Sequence, residues 1–104
     1  MNIEFASNHL LGASVSFSEA SRLFGIPIGR KYIQRLAVLR ATDKFGQLYG
    51  LRALRLHALK GNRSGQYSVI LNENYRLIIE KVQEDTVRII DVEDYHGNEN
   101  RCLS

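Results

Sequence analysis

The 104-residue chain carries 14 Lys and Arg against 11 Asp and Glu, a formal charge of +3 with a pI near 9.2. This length has room for one domain around a single modest core, and so mild a basic excess permits an anionic partner without requiring one. The single cysteine, Cys102, excludes an intramolecular disulfide and a cysteine-based metal centre. Residues 1–17 lack the basic and then apolar order of a secretory leader and no run approaches a membrane span, so a cytoplasmic protein is expected.

Ile3 and Phe5 alternate with polar residues and predict a weak strand over 2–6, serving as an edge or partner strand. Residues 8–15 show no clear period. Ser16 and Glu19 have the spacing of a capping box and predict a short helix with Ala20, Leu23 and Phe24 on one side, stopped at Gly25. Pro27 suits the first turn of a second helix. Along that helix Tyr32, Ile33, Leu36, Ala37 and Leu39 recur at helical spacing, and it should end near 42–44. Its cations, Arg30, Lys31, Arg35 and Arg40, read first as a solvated face rather than a contact with RNA.

Residues 45–54 contain Gly46 and Gly50 and read as a loop or single turn, followed by a short extended piece between Arg55 and Gly61. Residues 66–71 and 75–82 are two stronger strands joined by Asn72-Glu73-Asn74, whose residues accept turn geometry, and residues 87–92 form the third strand of a meander after the turn at 83–85. Because side chains alternate across a strand, Tyr75, Leu77 and Ile79 share one face. If that face packs on the helices, Arg76 lies on the open one. Asp94, Tyr95 and His96 then leave the last strand, where they can lean over that open face. The expected fold class is α+β: two N-terminal helices on a small antiparallel sheet, made of three C-terminal strands plus an N-terminal strand. Residues 97–104 read as a loosely ordered tail of this single domain.

Two polar clusters stand out: Leu56-His57 with Lys60-Gly61-Asn62-Arg63 and Gly65, and, beyond Asn74-Tyr75-Arg76, the run Asp94-Tyr95-His96-Gly97. In this order and spacing, over residues 54–98, the chain resembles the HigB branch of the RelE/ParE toxin superfamily. The resemblance implies the toxin of a two-component toxin–antitoxin pair: an endoribonuclease that enters the ribosomal A site and cuts mRNA, with no cofactor. It also implies a HigA-like antitoxin that binds the toxin and represses their shared promoter, so that DNA is reached only through the antitoxin. His57, Lys60, Arg76, Asp94, Tyr95 and His96 stand where such toxins hold residues that shape the active site. Ser68 and Ile70 stand where the RelE branch uses lysines, so the site must draw instead on histidine and on the Asp-Tyr-His cluster.

Metal-free RNA cleavage through the 2′-hydroxyl needs a base, an acid and positive charge at the phosphate. Histidine suits the first two because both of its forms exist near neutrality. Arginine suits the third, since a planar guanidinium can hold two phosphate oxygens. His57 and His96 are therefore expected to share acid–base duty, with Arg76 and Lys60 at the phosphate, Tyr95 stacking on a base or bonding a phosphate, and Asp94 orienting a histidine or titrating itself. Arg55 and Arg63 are candidate RNA contacts. Plainer readings stand beside these: a structural His57, an Arg76 paired on the surface with Glu80, a Tyr95 that closes the core, an Arg63 that is only a loop charge, and an inert His9. The three histidines lack the spacing of a metal site. Two other functions remain open. A ParE-like toxin that poisons DNA gyrase without catalysis would not need the Asp-Tyr-His cluster. A non-catalytic RNA-binding module would want exposed aromatics among cations, whereas Tyr67 and Tyr75 share the parity of Val69, Leu77 and Ile79.

Overall fold

The computed structural model describes residues 1–95. His96 and the predicted tail lie outside the described residues. Three helices, α1 (Asn8–Val15), α2 (Phe17–Phe24) and α3 (Ile26–Ala41), cover one face of a five-stranded sheet of order β1-β5-β4-β3-β2. The strands are β1 (Asn2–Phe5), β2 (His57–Ala58), β3 (Gln66–Ile70), β4 (Tyr75–Gln83) and β5 (Thr86–Asp94). Among the described residues no helix is long and apolar enough to cross a membrane.

The α+β class and the β3-β4-β5 meander match the expectation, and three details correct it. First, residues 8–15 are a helix, making three rather than two. Ser7 caps it by accepting from the Leu10 amide at 3.2 Å, and Leu10, Ala13 and Ser14 turn inward while Leu11 and Val15 stay exposed. Apolar residues on both sides of so short a helix erase the period that would have revealed it. Second, the sheet is mixed, because β1 runs parallel to β5. Third, a short strand, β2, adds to the free edge of β3.

Helix α2 begins at the predicted cap, where the Ser16 hydroxyl accepts from the Glu19 amide at 3.2 Å, and ends at Gly25, whose φ of +83° is open to glycine. Glu19 pairs with Arg22. Helix α3 has Pro27 in its first turn and buries Ile28, Gly29, Tyr32, Leu36 and Leu39, whereas Ala37 is exposed. Tyr32 is fully buried and its hydroxyl donates to the Leu10 carbonyl at 2.6 Å, tying α3 to α1; burial drives the phenol's pKa far up, so it remains a donor. Arg35, on the basic side of α3, donates to the Ile70 carbonyl at 2.9 Å and so fastens the helix to the end of β3.

The core joins Leu36 and Leu39 to Val69, Leu77, Ile79, Val87 and Ile89, with Tyr67 and Tyr75 packed at its margin. Strand β5 serves this core only because of a bulge. Ile78 faces Asp91 but Ile79 faces Ile89, so Ile90 is the extra residue that lets Val92, Ile89 and Val87 all turn inward.

Helices α2 and α3 touch closely at Gly29, where an added Cβ would lie 2.8 Å from the Ala20 carbonyl carbon and 2.9 Å from its oxygen. Those are backbone atoms and cannot swing aside. Gly29→Ala should therefore destabilise the protein despite alanine's better helix propensity: overpacking costs about 1–3 kcal/mol, against roughly 1 kcal/mol gained in propensity. Urea denaturation reads the difference. Arg55 is the only described non-glycine residue with positive φ, at 47°, where it ends the 3₁₀ turn Arg52–Leu54. Arg55→Gly should relieve about 1 kcal/mol of that strain in the same assay.

Candidate active site

The open face of the sheet is built by strand parity. Across β5, β4, β3 and β2 the pairs Arg76↔Glu93, Ile70↔Arg76, Ser68↔Ile78 and His57↔Ser68 place Glu93, Arg76, Ile70, Ile78, Ser68 and His57 on the side away from the core. Ser68 and Ile70 are thus the cross-strand neighbours of His57 and Arg76. His57 is exposed on β2. It stands two strands from Arg76 and two residues along, about 12 Å between Cα atoms at ordinary sheet spacings. The floor between them includes Ser68 and Ile78, both buried.

Arg76 and Tyr95 are brought together. The guanidinium carbon lies 5.1 Å from the Tyr95 ring centre, an attraction between cation and π-face. Arg76 Nη1 donates to the carbonyls of Asn72 at 2.8 Å, Tyr75 at 3.2 Å and Glu73 at 3.3 Å. The turn that supplies them is itself closed by the Asn72 side chain, which accepts from the amides of Asn74 and Tyr75 at 2.8 and 2.9 Å. Tyr95 is held by its own amide, which donates to the Asn74 carbonyl at 2.6 Å. Glu80, the surface partner considered for Arg76, pairs instead with Arg88 at 2.7 Å, and Arg88 also reaches Glu4 at 2.8 Å, linking β4, β5 and β1.

Asp94 does not leave the strand as expected. It is the last residue of β5 and pairs with Tyr75, so it shares the helix-side parity and lines a cavity of about 340 Å³ with Leu23, Phe24 and Tyr75. Tyr95, the next residue, has the opposite parity and reaches Arg76.

The segment 59–65 lies beside this face. Leu59 donates from its amide to the Gln66 carbonyl at 2.9 Å, and the 3₁₀ turn Gly61–Arg63 follows, with exposed Lys60 as its N-cap. Gly61 and Gly65 have φ of +70° and +92°, conformations that account for both glycines in this loop. Arg63 turns inward. Its Nη1 and Nη2 donate to Glu93 Oε1 and Oε2 at 3.1 and 2.7 Å, and its Nε donates to Gln66 Oε1 at 3.1 Å. The Glu93 side chain is fully buried and that of Arg63 is 24% exposed. The guanidinium is thus anchored to Gln66 of β3 and to Glu93 of β5, the two strands that flank β4. Arg55, the other candidate RNA contact, is exposed at its turn. His9 is exposed in α1, on the helical side of the molecule. Glu93 was missed in sequence reading. An acidic residue at the end of an apolar strand looks like surface, and only a partner 30 positions away makes it part of the site.

The Arg63–Glu93 pair is bidentate and largely removed from water, so the cost of its removal depends on which partner goes. Arg63→Ala alone leaves a buried carboxylate without this counter-ion and should destabilise the fold by about 3 kcal/mol. Replacing both residues with apolar side chains should cost far less. Chemical denaturation of the two variants checks this.

Three comparisons bear on the chain's origin. No protein-family model matches it. Over 62 residues it is 32% identical to the endoribonuclease HigB of Proteus vulgaris, which covers 60% of this chain and 65% of the relative, so the match spans just under two thirds of the relative's length. Its fold aligns with a YoeB–YefM complex from Staphylococcus aureus at a TM-score of 0.58 and 23% identity, over 92% of this chain and 97% of that one. It also aligns with a YoeB/ParE toxin from Agrobacterium tumefaciens at 0.61 and 11% identity, over 92% and 100% of the respective chains. The helical layer on a β-meander sheet is thus the fold of these two toxin structures, and the sequence is similar to HigB over just under two thirds of that relative's length.

Proposed function

We propose that the chain is the toxin of a toxin–antitoxin pair and acts as an endoribonuclease that cuts mRNA on the ribosome by 2′-hydroxyl attack. The observation that carries this reading is the open-face arrangement of Arg76 stacked on Tyr95 with His57 on the same face, in a chain whose sequence is similar to an endoribonuclease. Arg76 holds the phosphate. The turn carbonyls and the tyrosine ring fix its plane in advance, so little reorganisation is needed as charge develops on the non-bridging oxygens. His57 stands on the same face, two strands away. His96, next in sequence to Tyr95, serves as its acid–base counterpart: one imidazole takes the 2′-hydroxyl proton and the other returns a proton to the leaving 5′-oxygen. Lys60 adds positive charge from the loop. Tyr95 contributes a ring for stacking and a hydroxyl for a phosphate. Asp94, with its parity on the opposite side of β5, acts by supporting Tyr95 rather than at the phosphate. Requiring a 2′-hydroxyl makes the enzyme inactive on DNA.

The neighbour solved as a YoeB–YefM complex supports a protein partner, which we take to be a HigA-like antitoxin that carries the pair's contact with DNA. Acting on ribosomes, the toxin works in the cytoplasm. A gyrase-poisoning toxin is the second reading, favoured by the fold shared with a YoeB/ParE toxin.

Primer extension on mRNA after induced expression, with and without blocked translation, separates these readings. Wild type should give cuts within coding regions that depend on translation. His96→Ala and Arg76→Ala should each lower cutting by about 100-fold or more. Growth arrest with intact mRNA would replace this reading with the gyrase-poisoning one, and wild-type cutting in both variants would remove the residue assignments.

A further inference from the structure

Arg63 and Glu93 sit at the centre of the open face and form a bidentate pair with each other. Arg63 belongs to the loop that carries Lys60, three residues before it. Glu93 belongs to β5, where it is the cross-strand neighbour of Arg76 and precedes Asp94 and Tyr95 in the chain. The pair therefore joins the two parts of the site that come from distant stretches of sequence. A buried carboxylate beside Arg76 would, without a matched cation, compete with phosphate for that guanidinium. The fork of Arg63 meets both of its oxygens.

We propose that Arg63 and Glu93 are positioning residues of this site, a strut that pins segment 59–65 across the sheet and neutralises Glu93 so that Arg76 stays available to phosphate. The inference rests on the nuclease reading for its consequence in catalysis, but its structural half does not. It also reassigns Arg63 from a contact with RNA to a group that acts through Lys60 and Arg76. Removing the cation while keeping the carboxylate harms the site; removing both charges restores it. An RNA-contacting arginine gives the opposite pattern, because neutralising Glu93 cannot replace a lost contact.

The test compares wild type, Arg63→Gln, Arg63→Gln with Glu93→Gln, and Arg63→Lys. The first readout is hydrogen exchange by mass spectrometry. The second is the single-turnover rate of mRNA cutting on programmed ribosomes, with affinity measured on mRNA carrying a 2′-deoxynucleotide at the cut position. Arg63→Gln should speed exchange in segment 59–65 about tenfold while β4 and β5 keep their protection. It should slow cutting about 30-fold or more with affinity within about threefold of wild type. The double variant should return cutting to within about fivefold of wild type, as expected for coupled rather than independent residues. The proposal is overturned if segment 59–65 exchanges at the wild-type rate in Arg63→Gln, if affinity falls in step with cutting, or if Glu93→Gln gives no rescue. Should Arg63→Gln fail to fold, Arg63→Lys takes its place, keeping the charge but not the fork: faster exchange in 59–65 with slowed cutting supports the strut, and wild-type values in both overturn it. If the wild-type protein cuts no RNA, the nuclease reading falls, and the exchange measurement alone decides the strut.

Discussion

Because side chains alternate across a strand, burying Leu77 and Ile79 beneath the helices commits Arg76 and Ile78 to the other side of β4. Most of the molecule follows from that commitment. The core face must be continuous, so β5 carries a bulge at Ile90 that brings Val92, Ile89 and Val87 into line with it. The open face must be stable although it holds few apolar residues. Ile78 nonetheless lies on it fully buried.

Charge on the open face is consequently organised rather than scattered. Arg88 bridges Glu80 and Glu4 toward one end, in a half-exposed cluster of modest energetic weight. Arg63 and Glu93 occupy the middle, where the carboxylate is removed from water and its partner becomes obligatory. Arg76 stands at the other end against Tyr95, bonded to backbone carbonyls rather than paired with Glu80. A carbonyl is a weaker competitor than a carboxylate for an incoming phosphate, because it carries no net charge. Whether each arginine is paired with a carboxylate or bonded to carbonyls is therefore set by which acceptors the sheet places beside it.

Much of this was legible beforehand. The meander, the cap at Ser16, the stop at Gly25 and the parity of β4 follow from local rules, because turn chemistry, capping and alternation each operate within a few residues. The likeness of the two polar clusters to a known toxin branch was legible for the same reason, being a matter of order and spacing. Helix α1 was not, since its apolar residues ring it and its stability comes from Tyr32 and Leu10, 22 positions apart. The parallel pairing of β1 with β5 was not either, because nothing in Ile3 or Phe5 states which strand they meet.

By itself, then, the sequence determined α2, α3 and the β3-β4-β5 meander, the side of β4 on which Arg76 must lie, and the residue types available for acid–base and phosphate chemistry. Tertiary structure alone decided which of those residues meet. It set Tyr95 against Arg76, kept Asp94 paired in β5 with helix-side parity because the strand runs two residues further than its apolar pattern suggests, and drew Arg63 onto Glu93. The reason is physical: alternation and capping are properties of neighbours in sequence, whereas a bulge, a strand end and a buried ion pair depend on what the rest of the chain places alongside them.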